Sequence, residues 1–306
     1  MRLRAGRPEI SRYARYFDLP SARDALGVTF LGVSSLLLED GVSAVLTDGF
    51  FSRPRLLRVI LGKVAPDVRR IESVLTRAGA DRLDAVMPVH THYDHAMDSA
   101  LVAQRTGAVL TGGESVANIG RGHGLGPEQI QVVTPDEAIT FGNFHLTWIE
   151  SAHCPPDRFP GHIGHPVTPP VKANAYKCGE AWSIHAEHTS GRTALIQGSA
   201  GFVAGSLTGR RAEVAYLGVG QLGVQSEDYI RNYWAETVET VGARRVVLIH
   251  WDDFFRPLDR PLRALPYLGD DLDSTMRVFT ELAAEQDVAL HLPTLFQRED
   301  PWNSLH

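Results

Sequence analysis

The sequence predicts an α/β fold, a four-layer αβ/βα sandwich of two face-to-face β-sheets flanked by helices. Three observations carry that expectation. Short apolar runs of strand length recur between turn residues, so the sheets hold many strands. Helical spacing follows strands on both sides of Pro155, which gives two halves of similar make-up without a detectable repeat. The residues best suited to chemistry fall at strand ends, which places a site in the cleft where the strands finish. With 306 residues, 43% of them hydrophobic, the chain can bury a large core.

Residues 1–26 are arginine-rich and aperiodic, and are expected to form an N-terminal arm on the domain or on a partner; residues 27–306 are expected to form a single domain. From Gly27, two strand-like runs surround Gly32, and after a turn at Gly41 the run S-A-V-L-T-D returns as another strand, so an antiparallel sheet begins here. Residues 66–78 have helical spacing, with Val68, Ile71, Val74 and Leu75 on one face. A buried strand follows at 84–89, a helix at 96–104, a strand at 108–111 and a short helix at 114–119. Residues 120–126 (G-R-G-H-G-L-G) lack the spacing of a phosphate-binding loop and read as a plain loop, with His123 incidental.

Strands at 137–141 and 144–152 form a hairpin across Gly142 and Asn143, the second running to His153. Residues 155–177 hold six prolines together with His162 and His165, which suits a long loop acting as a lid or an oligomer contact. Strands at 181–187 and 192–197 pair next, carrying His185 and His188. A strand at 213–218, a helix at 226–241 with Ser226 as N-cap, a buried strand ending at His250, a helix at 271–285 and a final strand V-A-L-H-L complete the order.

The most informative stretch is V-H-T-H-Y-D-H-A-M-D, residues 89–98, which crowds His90, His92, Asp94 and His95 into six positions of a chain with thirteen histidines. It lies on a strand-to-helix turn. Residues two apart in an extended segment share a face, so His90 and His92 point the same way, and Asp94 and His95 follow as the chain coils. Imidazole and carboxylate are ligands that suit zinc and its first-row relatives.

This H-x-H-x-D-H pattern resembles the signature of the metallo-β-lactamase superfamily, and later elements follow in that family's order along nearly the whole chain. The resemblance implies the metallo-β-lactamase fold and a metal-dependent hydrolase. It implies that His90, His92 and His153 hold one ion and that Asp94, His95 and His250 hold a second. Asp48, before Gly49, is similar to an early family aspartate beside the metals, where it would fix the tautomer of a ligating histidine; on local grounds it is equally a turn residue. Ser199 stands where an aspartate usually bridges both ions. Two divalent ions with one Asp94 carboxylate and one hydroxide then keep a formal charge of +2 instead of +1, so the second ion should bind more weakly unless Asp252 or Asp253 compensates. One branch of the superfamily has serine here and still uses two zincs.

The function expected is hydrolysis of an ester, lactone or amide of a small-molecule substrate by a hydroxide held on one or two Zn2+ ions, with Mn2+ or Fe as other fits, and with Asp94 as the catalytic carboxylate. The runs L-G-V-S-S-L-L-L and T-D-G-F-F-S resemble the lactonase and phospholipase-D-like branch, in which Val33 is often histidine. Phosphodiester hydrolysis is the close alternative. An iron-binding redox protein or a non-catalytic metal-binding module is the alternative of another class.

Composition narrows the setting. A formal net charge of -6 argues against a chain built chiefly for nucleic acid. No apolar run reaches the length of a membrane span. The basic N-terminus lacks an apolar stretch after it, and only Cys154 and Cys178 are present, so a reducing cytoplasm is expected, with one bridge between them left open. A homo-oligomer is compatible with all of this.

Overall fold

The computed structural model describes residues 5–305, so the first four positions of the expected N-terminal arm and the last residue of the expected domain lie outside the described residues. In the first half the order is β1 (Gly27–Phe30), β2 (Leu36–Glu39), β3 (Ala44–Thr47), α1 (Leu56–Leu61), α2 (Val68–Ala78), β4 (Ala85–Met87), α3 (Tyr93–Ala96), α4 (Ser99–Thr106), β5 (Val109–Gly112), α5 (Glu114–Gly122) and β6 (Ile130–Val132). The second half runs β7 (Ala138–Phe141), β8 (Phe144–Glu150), β9 (Trp182–His188), β10 (Thr193–Gln197), β11 (Val214–Gly218), α6 (Glu227–Trp234), β12 (Arg245–Ile249), α7 (Leu272–Glu285), β13 (Ala289–His291) and β14 (Arg298–Glu299).

Two seven-stranded sheets result, ordered β14-β1-β2-β3-β4-β5-β6 and β13-β12-β11-β10-β9-β8-β7. Each is antiparallel on one side and parallel on the other: the direction changes at β3 in the first sheet and at β10 in the second. The first sheet begins antiparallel through β1, β2 and β3, as expected, and continues parallel through β4, β5 and β6. The structural halves divide between β6 and β7, upstream of Pro155, and β14 returns from the chain's end to pair with β1.

Three layers of apolar contact explain why several strands are apolar at every position. In β12, Val247 and Ile249 join a core between the sheets, which also takes Val28, Phe30, Leu38, Met87, Trp148 and Ile196. Their neighbours Val246 and Leu248 face the other way, into a core with Ile230, Trp234, Met276 and Phe279 of α6 and α7. Leu46, Val86 and Leu110 do the same for the first sheet against Ile71, Val74 and Val102. The alternation of strand side chains thus feeds one inner and two outer cores.

Some elements differ from the expectation for identifiable reasons. The run at 120–126 is not all loop, because α5 continues to Gly122. A Cβ on Gly120 would sit 3.0 Å from Leu110 and one on Gly122 2.0 Å from the Val167 carbonyl oxygen, so these glycines serve close packing. The helix after the His-rich turn is two pieces, α3 and α4, with Asp98 between them accepting from the Phe51 and Ser52 amides at 2.8 and 2.6 Å. The helix expected over 226–241 has Ser226 as N-cap but widens to a π-helix at Ala235–Glu239. In α2, Asp67 caps the start and Gly79, at φ 68°, ends the helix. Val68 of its expected apolar face is 38% exposed, whereas Ile71, Val74 and Leu75 are buried.

The described part of the N-terminal stretch lies against the second outer core through Ile10, Tyr13, Tyr16 and Phe17. Arg7 reaches Asp253 at 3.2 Å, and the Tyr13 hydroxyl donates to Asp273 at 2.7 Å.

Candidate metal centre

Strand direction decides where the reactive side chains meet. In the second sheet β8 and β10 both run antiparallel to β9, and β12 is parallel to β10 through β11, so β8, β10 and β12 all finish at one edge. His153 lies just past β8, Ser199 just past β10 and His250 directly after β12. In the first sheet β3 and β4 are parallel, and Asp48 and His90 follow their ends. Helix α3 then starts at Tyr93 and carries Asp94 and His95 in its single turn.

The six side chains form two groups of potential ligands, His90 with His92 and His153, and Asp94 with His95 and His250; within each group the ligand atoms lie within 4.8 Å of one another. Nε2 of His90 is 3.2 Å from Nδ1 of His92, and Nε2 of His95 is 3.2 Å from Nε2 of His250. Asp94 Oδ2 is 3.8 Å from His95 Nε2 and 3.5 Å from His250 Nε2. The groups adjoin, with the His90 and His95 ring centroids 3.9 Å apart.

Hydrogen bonds at the far nitrogens select which atoms face inward. His95 Nδ1 is 2.8 Å from Asp48 Oδ2 and 3.0 Å from Ser34 Oγ, and the Ser34 hydroxyl donates to the same carboxylate at 2.6 Å. His92 Nε2 faces Asp157 Oδ1 at 3.2 Å and the Phe159 carbonyl at 3.4 Å. His153 Nδ1 donates to the Cys154 carbonyl at 2.7 Å. Each contact uses one nitrogen and leaves the other, the one turned to its group, with a lone pair. Nδ1 of His90 and of His250 are buried without a hydrogen-bond partner.

Burial pushes His90 well below the ordinary histidine value, with the neighbouring imidazoles adding to it. Burial also lowers His92, against Asp94 and Asp157, and takes His153 down to about 4. For His95 burial is outweighed by Asp48 and Asp94, which raise it. Burial would raise Asp94 too, yet His95, His250 and His92 hold it below the carboxylate range. Imidazole nitrogens that converge 3.2 Å apart, beside a carboxylate held ionised, suit a divalent cation better than they suit each other. The donor set fits such ions.

The remaining residues singled out in the sequence sit as follows. Ser199 Oγ accepts from the Cys154 amide at 3.0 Å, which ties the end of β10 to the turn carrying His153. Asp252 is fully buried with Oδ2 2.7 Å from Arg53 Nη1 and Oδ1 accepting from the Val33 amide at 2.9 Å, so its charge is committed to an ion pair. Asp253 faces Arg263 and Arg7. His185 Nε2 meets the Arg211 carbonyl at 2.6 Å, and His188 Nε2 meets Asp40 at 3.0 Å. Cys154 and Cys178 are free and buried, and burial pushes both thiols up to about 12.

Reading the sequence missed Ser34 and Asp157, and neither has a local signal. Ser34 reaches His95 across 61 positions, and Asp157 comes from the proline-rich loop. Three non-glycine residues around the site, Val33, Asp48 and His250, have φ of 54°, 53° and 57°. Such conformations are costly, above all for β-branched Val33. The His250 amide donates to the Val33 carbonyl at 2.6 Å and the Asp48 amide to the Met87 carbonyl at 3.1 Å, contacts that between them involve all three.

The family model for the metallo-beta-lactamase superfamily matches residues 28–176. Among solved structures, the chain is similar to Igni18, a novel metallo hydrolase from the hyperthermophilic archaeon Ignicoccus hospitalis (15% identity, TM-score 0.55, covering 89% of this chain and 96% of that one). It is also similar to an isothiocyanate hydrolase from Delia radicum gut bacteria (16%, 0.53, 88% and 96%). A third is CmlA, a diiron β-hydroxylase from Streptomyces venezuelae (10%, 0.50, 92% and 55%). At these identities the likeness shows the fold, the two-sheet metallo-β-lactamase sandwich. No curated protein matches the chain.

Proposed function

We propose that the protein, whose residues 28–176 match the model of the metallo-beta-lactamase superfamily, is a dinuclear metallo-hydrolase that cleaves an ester, lactone or amide bond of a small molecule. The observation that carries this reading is the pair of adjoining donor groups, His90, His92 and His153 beside Asp94, His95 and His250. Zinc is the ion we favour, since three imidazoles, and two imidazoles with a carboxylate, are sets it accepts with a position left open. Bound there, two such ions would supply a hydroxide nucleophile near neutral pH and stabilise the developing oxyanion.

The protein's own residues would divide the rest. Asp48 holds the proton of His95 on Nδ1, and Asp157 and the Phe159 carbonyl do the same for Nε2 of His92, so the facing nitrogens stay unprotonated. Asp94 turns Oδ2 to the two imidazoles, and its other oxygen is the atom that would take the nucleophile's proton and return it to the leaving group. Phe159 and Phe254, in T-shaped contact with the His92 and His250 rings, would limit water around the reacting atoms.

Phosphodiester cleavage is the alternative that the same residues would serve. Iron-based redox chemistry is the second reading, and the observation favouring it is an N/O donor set with no thiolate, which iron also accepts. Elemental analysis of protein purified without added metal, followed by assays of p-nitrophenyl ester, lactone and bis-p-nitrophenyl phosphate substrates on one zinc-loaded preparation, tests these against each other. Zinc content with ester or lactone turnover that His90→Ala abolishes is expected. Iron with redox-active spectra, or turnover that survives His90→Ala, overturns the proposal.

A further inference from the structure

Helix α1 is mounted with its greasy side outward. Leu56, Leu57, Ile60 and Leu61 are 48%, 69%, 65% and 74% exposed, although helical spacing puts all four on one face. Val59, on the opposite side, is the residue that packs into the first outer core. A surface helix of a soluble domain normally turns its aliphatic face inward and its charged face to water. Four neighbouring aliphatics left in solvent make a patch of the kind that marks an interaction surface.

Charge narrows what the patch meets. The chain as a whole carries a net charge of -6, yet between Asp48 and Asp67 there is no acidic residue. Arg55, Arg58 and Lys63 are exposed around the helix, whereas Arg53 is buried in its ion pair with Asp252. A second copy of this chain, placed on the patch by a two-fold axis, would bring the same cations together. Four side chains also fall short of the roughly 20–30 residues a side of a stable interface. A bilayer with anionic headgroups meets both halves of the pattern, since its acyl boundary accepts the aliphatics and its phosphates accept the cations.

The segment carrying the patch is linked along the chain to elements of the candidate metal centre. Its chain leaves the centre at Asp48, and at Val64 it pairs with Val171, the Val64 amide donating to the Val171 carbonyl at 2.7 Å and the reverse bond measuring 3.1 Å. Val171 belongs to the proline-rich loop that also brings Asp157 and Phe159 to His92. No helix among the described residues is long and apolar enough to cross a membrane, so the contact would lie in the interface plane.

We propose that α1 and its flanking cations form a docking surface for an anionic lipid bilayer. The inference does not depend on the hydrolase reading, because it concerns binding alone.

The test is co-sedimentation of the full chain with phosphatidylcholine vesicles with and without phosphatidylglycerol, at low and high salt. Binding to the phosphatidylglycerol vesicles, weakened by salt, is expected. The double variant Leu57→Gln/Ile60→Gln should lose that binding by at least about tenfold. Arg55→Gln/Arg58→Gln/Lys63→Gln should weaken it by on the order of a hundredfold while sparing the apolar face. Far-UV circular dichroism of each variant confirms folding, and the charge variant keeps the test alive if the apolar one misfolds. Wild-type protein left in the supernatant, or both variants binding like wild type, overturns the proposal. So does a wild-type dimer that Leu57→Gln/Ile60→Gln converts to monomer while neither binds vesicles, which would make the patch a contact between copies.

Discussion

Replacing Asp48 by asparagine should weaken metal binding at the Asp94, His95 and His250 group by about 10–100-fold. All three contacts of the Asp48 carboxylate are with donors: the Val89 amide at Oδ1, 2.9 Å away, and the Ser34 hydroxyl and His95 Nδ1 at Oδ2, at 2.6 and 2.8 Å. A carboxylate only accepts, so it satisfies all three. An amide of the same shape has one accepting oxygen and one NH2, and either orientation sets donor against donor. If NH2 faces His95, Nδ1 must become the acceptor and the ring proton moves to Nε2, the nitrogen 3.2 Å from His250 Nε2, which then has no lone pair to give. If NH2 faces Val89, a buried N–H group loses its partner, at about 1–3 kcal/mol. A hydrogen bond to a charged group contributes about 1.5–3 kcal/mol, and each 1.4 kcal/mol is tenfold, which returns the range above. Zinc competition against a chromophoric chelator, with wild type and variant side by side, reads the effect. Affinities equal within about threefold would refute the argument that Asp48 sets the His95 tautomer.

Two further outcomes follow from buried charge. Arg53→Ala should lower stability by about 3–5 kcal/mol in urea denaturation, because it strands the Asp252 carboxylate, paired at 2.7 Å with neither side chain exposed; a loss under about 1 kcal/mol would show that the pair contributes little. Burial raises Glu299 to about 7, against a weaker opposite pull from the Thr294 amide at 3.0 Å and the Thr294 side chain. A carboxyl raised on folding favours the folded state fully below its unfolded value and loses that contribution as pH climbs through the folded one. Stability should therefore fall between about pH 4.5 and 7 by up to about 1.4 kcal/mol per pH unit from this residue, and Glu299→Gln should flatten that slope in a pH series of melts. An unchanged slope in the variant would contradict the assignment.

The sequence by itself determined what neighbours along the chain decide. The strand and helix periods of most elements were legible because burial repeats every two or every 3.6 residues, and the His90 to His95 cluster was legible because its members are close enough for the local backbone to aim them. The N-cap expected at Ser226 acts within three residues, on the amide of Tyr229. Short or irregular pieces such as β6, β14 and α1 escaped, since two to six residues hold too little periodicity to separate from a loop. The glycines of α5 misled because their role is set by Leu110, Ile130 and Val167, none of them a neighbour in sequence.

Only the tertiary structure decided the centre itself. His95 and His250 are 155 positions apart and meet because the turn after β4 of one sheet, which carries α3, faces the end of β12 of the other. Ser34 and Asp157 acquire partners distant in sequence too, and Asp252 pairs with Arg53. A local pattern can specify which way a side chain points from its own strand or helix. Which other side chain it then faces depends on strand order, direction and the layering of the sheets, and those are fixed by burial summed over the whole chain.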